Sequence, residues 1–432
     1  MAYVPLRRGA GRLFDDNLNR MLQELFAFWG LADFPDGTGS GVTVRDSFGR
    51  LRVSSPTTIF DSKQLFNKQP EFFDDQQVSG ASTTSTWSKA RASTVIGVAN
   101  TTAGRRVRQT FQRFNYQPGK SQLILCTGVL GTGGAGITAG LGYYDDDDGI
   151  FLNNIDGVVG LTIRSSVSGS AVDNTVTQAN WNGDKLDGAG SSGITLDLTA
   201  SQIWWCDIEW LGVGTVRTGF VIDGAFIVCH TFDHANSIGS VYMSTPNLPI
   251  RYEIENDGTG AAATLEHICS SVMSEGGVQA NGTLRYISTG GTHIDANVAN
   301  TLYAVIGLRL KTGSIGQQID FVELSMIELL NDDFEYVMVF NPTVAGTFTY
   351  ADFGSTALQA AIGVTANTVT GGTPIAGGIV TSSGGGSVTA PVSNAIRLGA
   401  AINGTRDTVV LCVRPLSANA DVEASVSWRE IS

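Results

Sequence analysis

The sequence predicts an all-β protein, with two antiparallel β-sandwiches of jelly-roll type behind a short amphipathic helix and an extended arm. Three observations carry that expectation. Runs rich in strand formers, such as 107–114 and 122–130, recur with turn residues between them. Residues 203–232 alternate in and out of an apolar pattern and contain Asp223-Gly224, a strong signal for a type I′ hairpin turn. Charged residues make up only 16% of the 432-residue chain, against the usual quarter or so, and 53 glycines contribute to a surface of small neutral groups. Such a balance suits a rigid β-protein, since disorder needs high net charge and low hydrophobicity.

The chain divides into an arm over 1–79, a sandwich over 80–261 and a second sandwich over 262–432. In the arm, Asp15 and Asp16 precede Leu18, Met21, Leu22, Leu25, Phe26 and Trp29, and Gly30 follows. Apolar residues at three- and four-residue steps between an acidic start and a glycine stop predict a capped helix. Alone it would be marginal in water, so its apolar face serves as an anchor on its own body or on a neighbour. From 57 to 78, Phe60, Phe66, Phe72 and Phe73 alternate with Asp61, Glu71, Asp74 and Asp75, as in an arm laid along a β-domain with wet carboxylates.

In the first sandwich, 203–232 reads as a three-stranded meander with strands at Val216–Ile222 and Ala225–Phe232, followed by strands at 240–243 and 250–254. The second sandwich draws strands from 301–310, 318–329, 336–340, 395–398, 408–414 and 422–428. The Gly/Thr/Ser/Ala-rich tract over 363–393 is too poor in bulky side chains to form a core of its own. No internal repeat stands out, which disfavours a solenoid or a propeller.

Composition narrows the function. A formal net charge of −13 argues against a main role on nucleic acid, with Arg7, Arg8, Arg12 and Arg105, Arg106, Arg108 as the local exceptions. Cys126, Cys206, Cys229, Cys269 and Cys412 are odd in number, widely spaced and mostly within apolar runs, as expected of reduced buried thiols assembled in cytosol. Neither a secretory signal nor a membrane-length apolar run is evident.

Four patterns could carry chemistry. Asp207 and Glu209 share one strand face, opposite Cys206, Ile208 and Trp210, near the arrangement of the carboxylate pair in retaining glycosidases; the alternative is a polar outer sheet face, open to a cation or glycan. Asp145, Asp146, Asp147 and Asp148, with Asn153, Asn154 and Asp156 nearby, offer hard oxygen donors to calcium without EF-hand spacing; the alternative is a solvated loop. His230 and His234 are four apart, but strand followed by turn removes the helical meaning of that spacing. Glycine-rich stretches such as 131–134 lack the lysine of a phosphate loop and read as turns.

Two resemblances add to this. The run Asp207-Ile208-Glu209-Trp210 loosely resembles the carboxylate strand of laminarinase-like glycoside hydrolases, themselves jelly rolls, but that signature has three spaced acids where Cys206, Leu211 and Gly212 flank the pair here. The run Val44-Arg45-Asp46-Ser47-Phe48-Gly49-Arg50-Leu51-Arg52-Val53-Ser54, leading into Thr58-Ile59-Phe60-Asp61-Ser62-Lys63, resembles a segment of virion structural proteins of tailed bacteriophages. The stretches 207–212 and 243–253 fit the same group, so the resemblance spans roughly 42–260. It implies a lectin-like sandwich in a head fibre, decoration protein, tail fibre or knob. The expectation is then a non-enzymatic component of the particle exterior, anchored by its arm, self-associating as a homotrimer and contacting host-surface glycan. Its partners would be other virion proteins, not nucleic acid or membrane, and no cofactor beyond calcium is expected. The competing reading is a glycan depolymerase using Asp207 and Glu209.

Overall fold

The computed structural model describes residues 56–432 apart from 280, 331, 382–386, 392–396, 418 and 432. The anchoring residues Leu18, Met21, Leu22, Leu25, Phe26 and Trp29 lie outside the described residues, as do Arg7, Arg8 and Arg12. Among the described residues the secondary structure is β-strand with two 3₁₀ turns, and every strand pairing is antiparallel. The all-β expectation holds.

The first sandwich sets an eight-stranded sheet against a seven-stranded one. The eight-stranded sheet runs in the order Ala225–Phe232, Val216–Ile222, Gln202–Ile208, Gln122–Val129, Ala263–Ser274, Ser93–Val98 and Thr84–Ser88, with Thr57–Lys63 pairing onto Ala263–Ser274. The seven-stranded sheet runs Val172–Thr177, Val158–Ser165, Gly149–Ile155, Ile137–Tyr144, Ile250–Asn256, Gly104–Thr110 and Phe73–Gly80. Non-sequential neighbours in both sheets mean that the chain crosses between them, as in a jelly roll. Side chains point alternately in and out, and Gln122–Val129 alternates buried with half-buried positions along its whole length. Its inward residues meet Trp181, Trp204, Phe220, Tyr143 and Tyr252 in one apolar core.

The segment expected as a wet arm is instead two strands, one at the edge of each sheet. Phe60 and Phe73 enter the core, Phe66 stays 86% exposed, and the Asp75 side chain, 9% exposed, is held between Arg106, Arg108 and Ser85. A pair of rings and a carboxylate matched to two arginines favour sheet pairing over a loosely laid arm. The strand expected at 240–243 is absent: Tyr242 N–H donates to Gly212 O and Ser244 N–H to Asp148 Oδ1, so that backbone bridges two loops and joins no ladder.

The second sandwich has a five-stranded sheet, in the order Thr283–Ser288, Ala420–Ile431, Gln318–Glu328 and Ser387–Pro391, with Ile294–Ala296 also on Ala420–Ile431. The facing six-stranded sheet runs Ala351–Asp352, Leu358–Ile362, Tyr303–Leu310, Thr408–Pro415, Phe334–Phe340 and Thr373–Val380. Trp428, Phe334 and Phe321 fill its core. Thr373–Val380 and Ser387–Pro391, from the small-residue tract, pair as outer strands, which need little bulk of their own. The strand expected at 395–398 does not form at its described residues Arg397 and Leu398.

The described residues fall in one compact unit. The two sandwiches meet through hydrogen bonds: Ala400 N–H donates to Phe111 O at 3.1 Å, and Ile402 N–H to Asp74 Oδ2 at 2.7 Å. A Cβ at Gly399 would fall 2.1 Å from Phe111 O, so only glycine permits this approach.

Candidate functional site: a carboxylate cleft on the first sandwich

The cleft is built on the predicted meander. The strands Val216–Ile222 and Ala225–Phe232 are joined by Asp223 at φ 51° and Gly224 at φ 80°, the left-handed pair a type I′ turn requires. Across the preceding pairing, Asp207 stands opposite Arg217, while Cys206 and Ile208 point the other way into the core. Asp207 is buried, and its carboxylate is held by the Arg217 guanidinium and the Ser121 hydroxyl. Cross-strand opposite charges are neighbours by construction, so the sheet register itself fixes this pair.

Glu209 follows directly after the strand. Its N–H donates to Thr215 O at 3.1 Å, extending the ladder by one residue before the chain turns through Leu211 and Gly212, both at positive φ. The turn is braced, with Gly214 N–H on Trp210 O and the His234 ring on Gly214 O at 2.7 Å. A Cβ at Gly214 would meet Glu209 O at 2.0 Å, which makes glycine necessary there. The Glu209 side chain is exposed, and among the described residues nothing hydrogen-bonds its carboxylate.

Both acids line an open cleft of about 430 Å³ with Gly119, Lys120, Ser121, Thr215 and Arg217. Lys120 Nζ is tied to Gln117 Oε1 at 2.7 Å and Gly277 O at 2.9 Å. The cleft therefore presents a fixed carboxylate and a solvent-facing one, about 6.6 Å apart along the strand by backbone rise. Alternation in the sequence located the acids. Ser121, Lys120, Thr215 and Arg217 were missed, and the only signal for Arg217 was its place in a strand that follows the Asp207 strand.

The other candidates resolve differently. The acidic turn is largely occupied by protein donors: Asp145 by Arg113 and by the N–H groups of Asp147 and Asp148, Asp146 by Arg105 and Arg251 at 2.7 Å each, and Asp148 by Ser166 and Ser244. Burial opposes ionisation of Asp145 and Asp146, yet their arginine partners hold both below the usual carboxylate range. Asp147 remains exposed. Among the described residues, no group of three or more His, Cys, Asp or Glu side chains is arranged to hold a metal.

His230 Nδ1 accepts the Asn182 N–H at 3.1 Å, and His234 stacks on Tyr242 with centroids 4.1 Å apart, so the two rings serve separate contacts. Arg105, Arg106 and Arg108 face Glu253, Asp146 and Asp75, which leaves them no role as a phosphate patch. All five cysteines are free, four of them buried, and burial pushes the Cys126 thiol up to about 12. No helix among the described residues is long and apolar enough to cross a membrane.

No family model matches the chain, and no curated protein matches it. Solved structures do. A β-1,3-glucanase from Mycobacterium marinum matches at 11% identity with a TM-score of 0.34, over 50% of this chain and 98% of its own. A GH16 protein from Bacteroides ovatus, solved with a glucan product, matches at 10% identity and TM-score 0.34 over 50% of this chain and 99% of its own. A CBM2 module of the evolved Dit of Lactobacillus casei phage J-1 matches at 7% identity and TM-score 0.34 over 53% of this chain and all of its own. These are likenesses of fold over about half of the chain. They correct one expectation. With glucanases among the similar structures, the expectation of a non-enzymatic chain does not stand.

Proposed function

We propose that this chain engages a polysaccharide through its first sandwich and cleaves it in the Asp207/Glu209 cleft. The observation that carries the reading is the pairing, in one open polar cleft, of a carboxylate fixed by Arg217 and Ser121 with an exposed carboxylate two residues on. Glycoside hydrolysis needs such a division of labour, one acid to move a proton to and from the glycosidic oxygen or water, the other to meet charge developing at the sugar carbon. Glu209 takes the proton-transfer role, because its side chain reaches solvent. Asp207 takes the charge-stabilising role, because its orientation is set by protein partners.

The setting proposed with it is the exterior of a tailed-phage particle, where the chain would self-associate as a homotrimer and pack on other virion proteins. The phage-like runs over 44–63 and 243–253 support that setting. Affinity electrophoresis through gels cast with host-surface polysaccharides tests engagement. The wild type should be retarded by at least one polysaccharide, and Arg217→Ala should reduce the retardation. Equal mobility in every gel would remove the glycan reading. Immunogold labelling of particles with an antibody against 262–432 tests the setting, and unlabelled particles would remove it.

A further inference from the structure

Between the two sandwiches lies a cavity of about 200 Å³ that the carboxylate cleft does not share. Its walls come from the start of the Thr57–Lys63 strand on one side and from Gln318, Arg397 and Ile431 on the other. Arg397 is its one charged lining group, and the side chain is 23% exposed. Its nearest carboxylate, Asp320, stands off at 3.8 Å, beyond hydrogen-bond reach, and Asp320 Oδ1 is already engaged by Gln318 Nε2 at 2.9 Å. Among the described residues nothing hydrogen-bonds Arg397. A guanidinium has five N–H donors, and those of Arg397 are open to a ligand that enters the cavity. Other arginines of the chain at comparable or deeper burial are paired at hydrogen-bond distance, as Arg105 is to Glu253 at 2.7 Å and Arg251 to Asp146 at 2.7 Å.

We infer that this cavity is a binding site for a small carboxylate, taken up by the Arg397 fork. A guanidinium matches a carboxylate with two parallel hydrogen bonds, and the match strengthens away from bulk water. Ile59 and Ile431 give the ligand an apolar wall, and the Thr57 and Thr58 side chains offer hydroxyls. At about 200 Å³ the space is below the usual range for drug-sized ligands, which begins near 300 Å³, so it suits a single acidic sugar or a simpler acid and not a polymer.

Calorimetric titration of the full chain at fixed ionic strength tests this with glucuronate, glucose and acetate. Glucuronate is expected to bind and glucose not to. Acetate binding as tightly would assign the site to simple acids, and markedly tighter glucuronate would assign it to acidic sugars; either result supports a carboxylate site. Arg397→Gln should weaken the binding at least tenfold with an unchanged unfolding midpoint. Asp320→Asn, which removes the competing carboxylate, should tighten it severalfold. Absence of heat with both acids, an affinity unaltered in Arg397→Gln, or weaker binding in Asp320→Asn would overturn the inference.

Discussion

Arg108 Nε donates to His267 Nδ1 at 3.1 Å in the interior of the first sandwich, where both side chains are fully buried. That bond requires an unprotonated Nδ1, and His267 Nε2 meets Ser270 Oγ at 2.9 Å. Burial first, and the Arg108 charge second, hold the His267 pKa well below its ordinary value of 6.5. A folded pKa below the unfolded one means that the unfolded chain binds a proton which the folded chain refuses. The stability from this ring is thus present above about pH 6.5 and is lost as the pH falls towards the folded value. Thermal melts between pH 7.5 and 5 should show a declining midpoint, and His267→Asn should flatten that slope. Parallel slopes in the two proteins would show that His267 is not the titrating group.

The same arginine clasps the segment expected to be a loose arm. Arg108 reaches Gln64 Oε1 at 3.0 Å, Lys68 O and Asp75 Oδ2, while burial lowers its own pKa to about 10. Removing one partner of a buried ion pair strands the other, a cost of about 3–5 kcal/mol. Arg108→Ala should lose stability of that order in urea melts and open 64–75 to proteolysis before the rest of the chain.

Trp204 is wholly buried in the first core, and Gly219 lies at a register shift where a Cβ would fall 1.9 Å from Ile227 O. Trp204→Ala should cost about 3–5 kcal/mol through lost burial and a cavity. Gly219→Ala should cost about 1–3 kcal/mol through backbone displacement. Denaturant unfolding monitored by circular dichroism measures both.

The five thiols divide by burial. Cys126, Cys206, Cys229 and Cys412 are buried and only Cys269 is half-exposed, while burial pushes all five thiol pKa values up. A thiol must be reached by the reagent to react, so a native chain treated with a disulfide reagent should release one equivalent of thiol before unfolding and four only on unfolding. Two or more fast equivalents would contradict the packing.

The strands Val216–Ile222 and Ala225–Phe232 were legible to the residue, because their signal is local, with Asp223-Gly224 marking the turn. The carboxylate pair was legible for the same reason. Arg217 and Ser121 were not, since seven residues separate Ile208 from Val216 and no local signal sets the register across such a connection. The segment 57–78 misled because its interior partners, Arg108 and His267, lie far along the chain, and an ion-paired Asp75 reads in sequence like any wet carboxylate. The 240–243 stretch has strand-like composition, yet its N–H groups go to loop acceptors that tertiary contacts alone supply.

Reducing-end release from a panel of host polysaccharides, with wild type beside Glu209→Gln and Asp207→Asn, tests the central claim most directly. The account predicts release from at least one polysaccharide by the wild type. It also predicts a loss of about 10²–10⁴-fold in Glu209→Gln, the span a general acid–base group supplies, with binding retained. Absence of release by the wild type on every polysaccharide, or cleavage by Glu209→Gln at the wild-type rate, would contradict it.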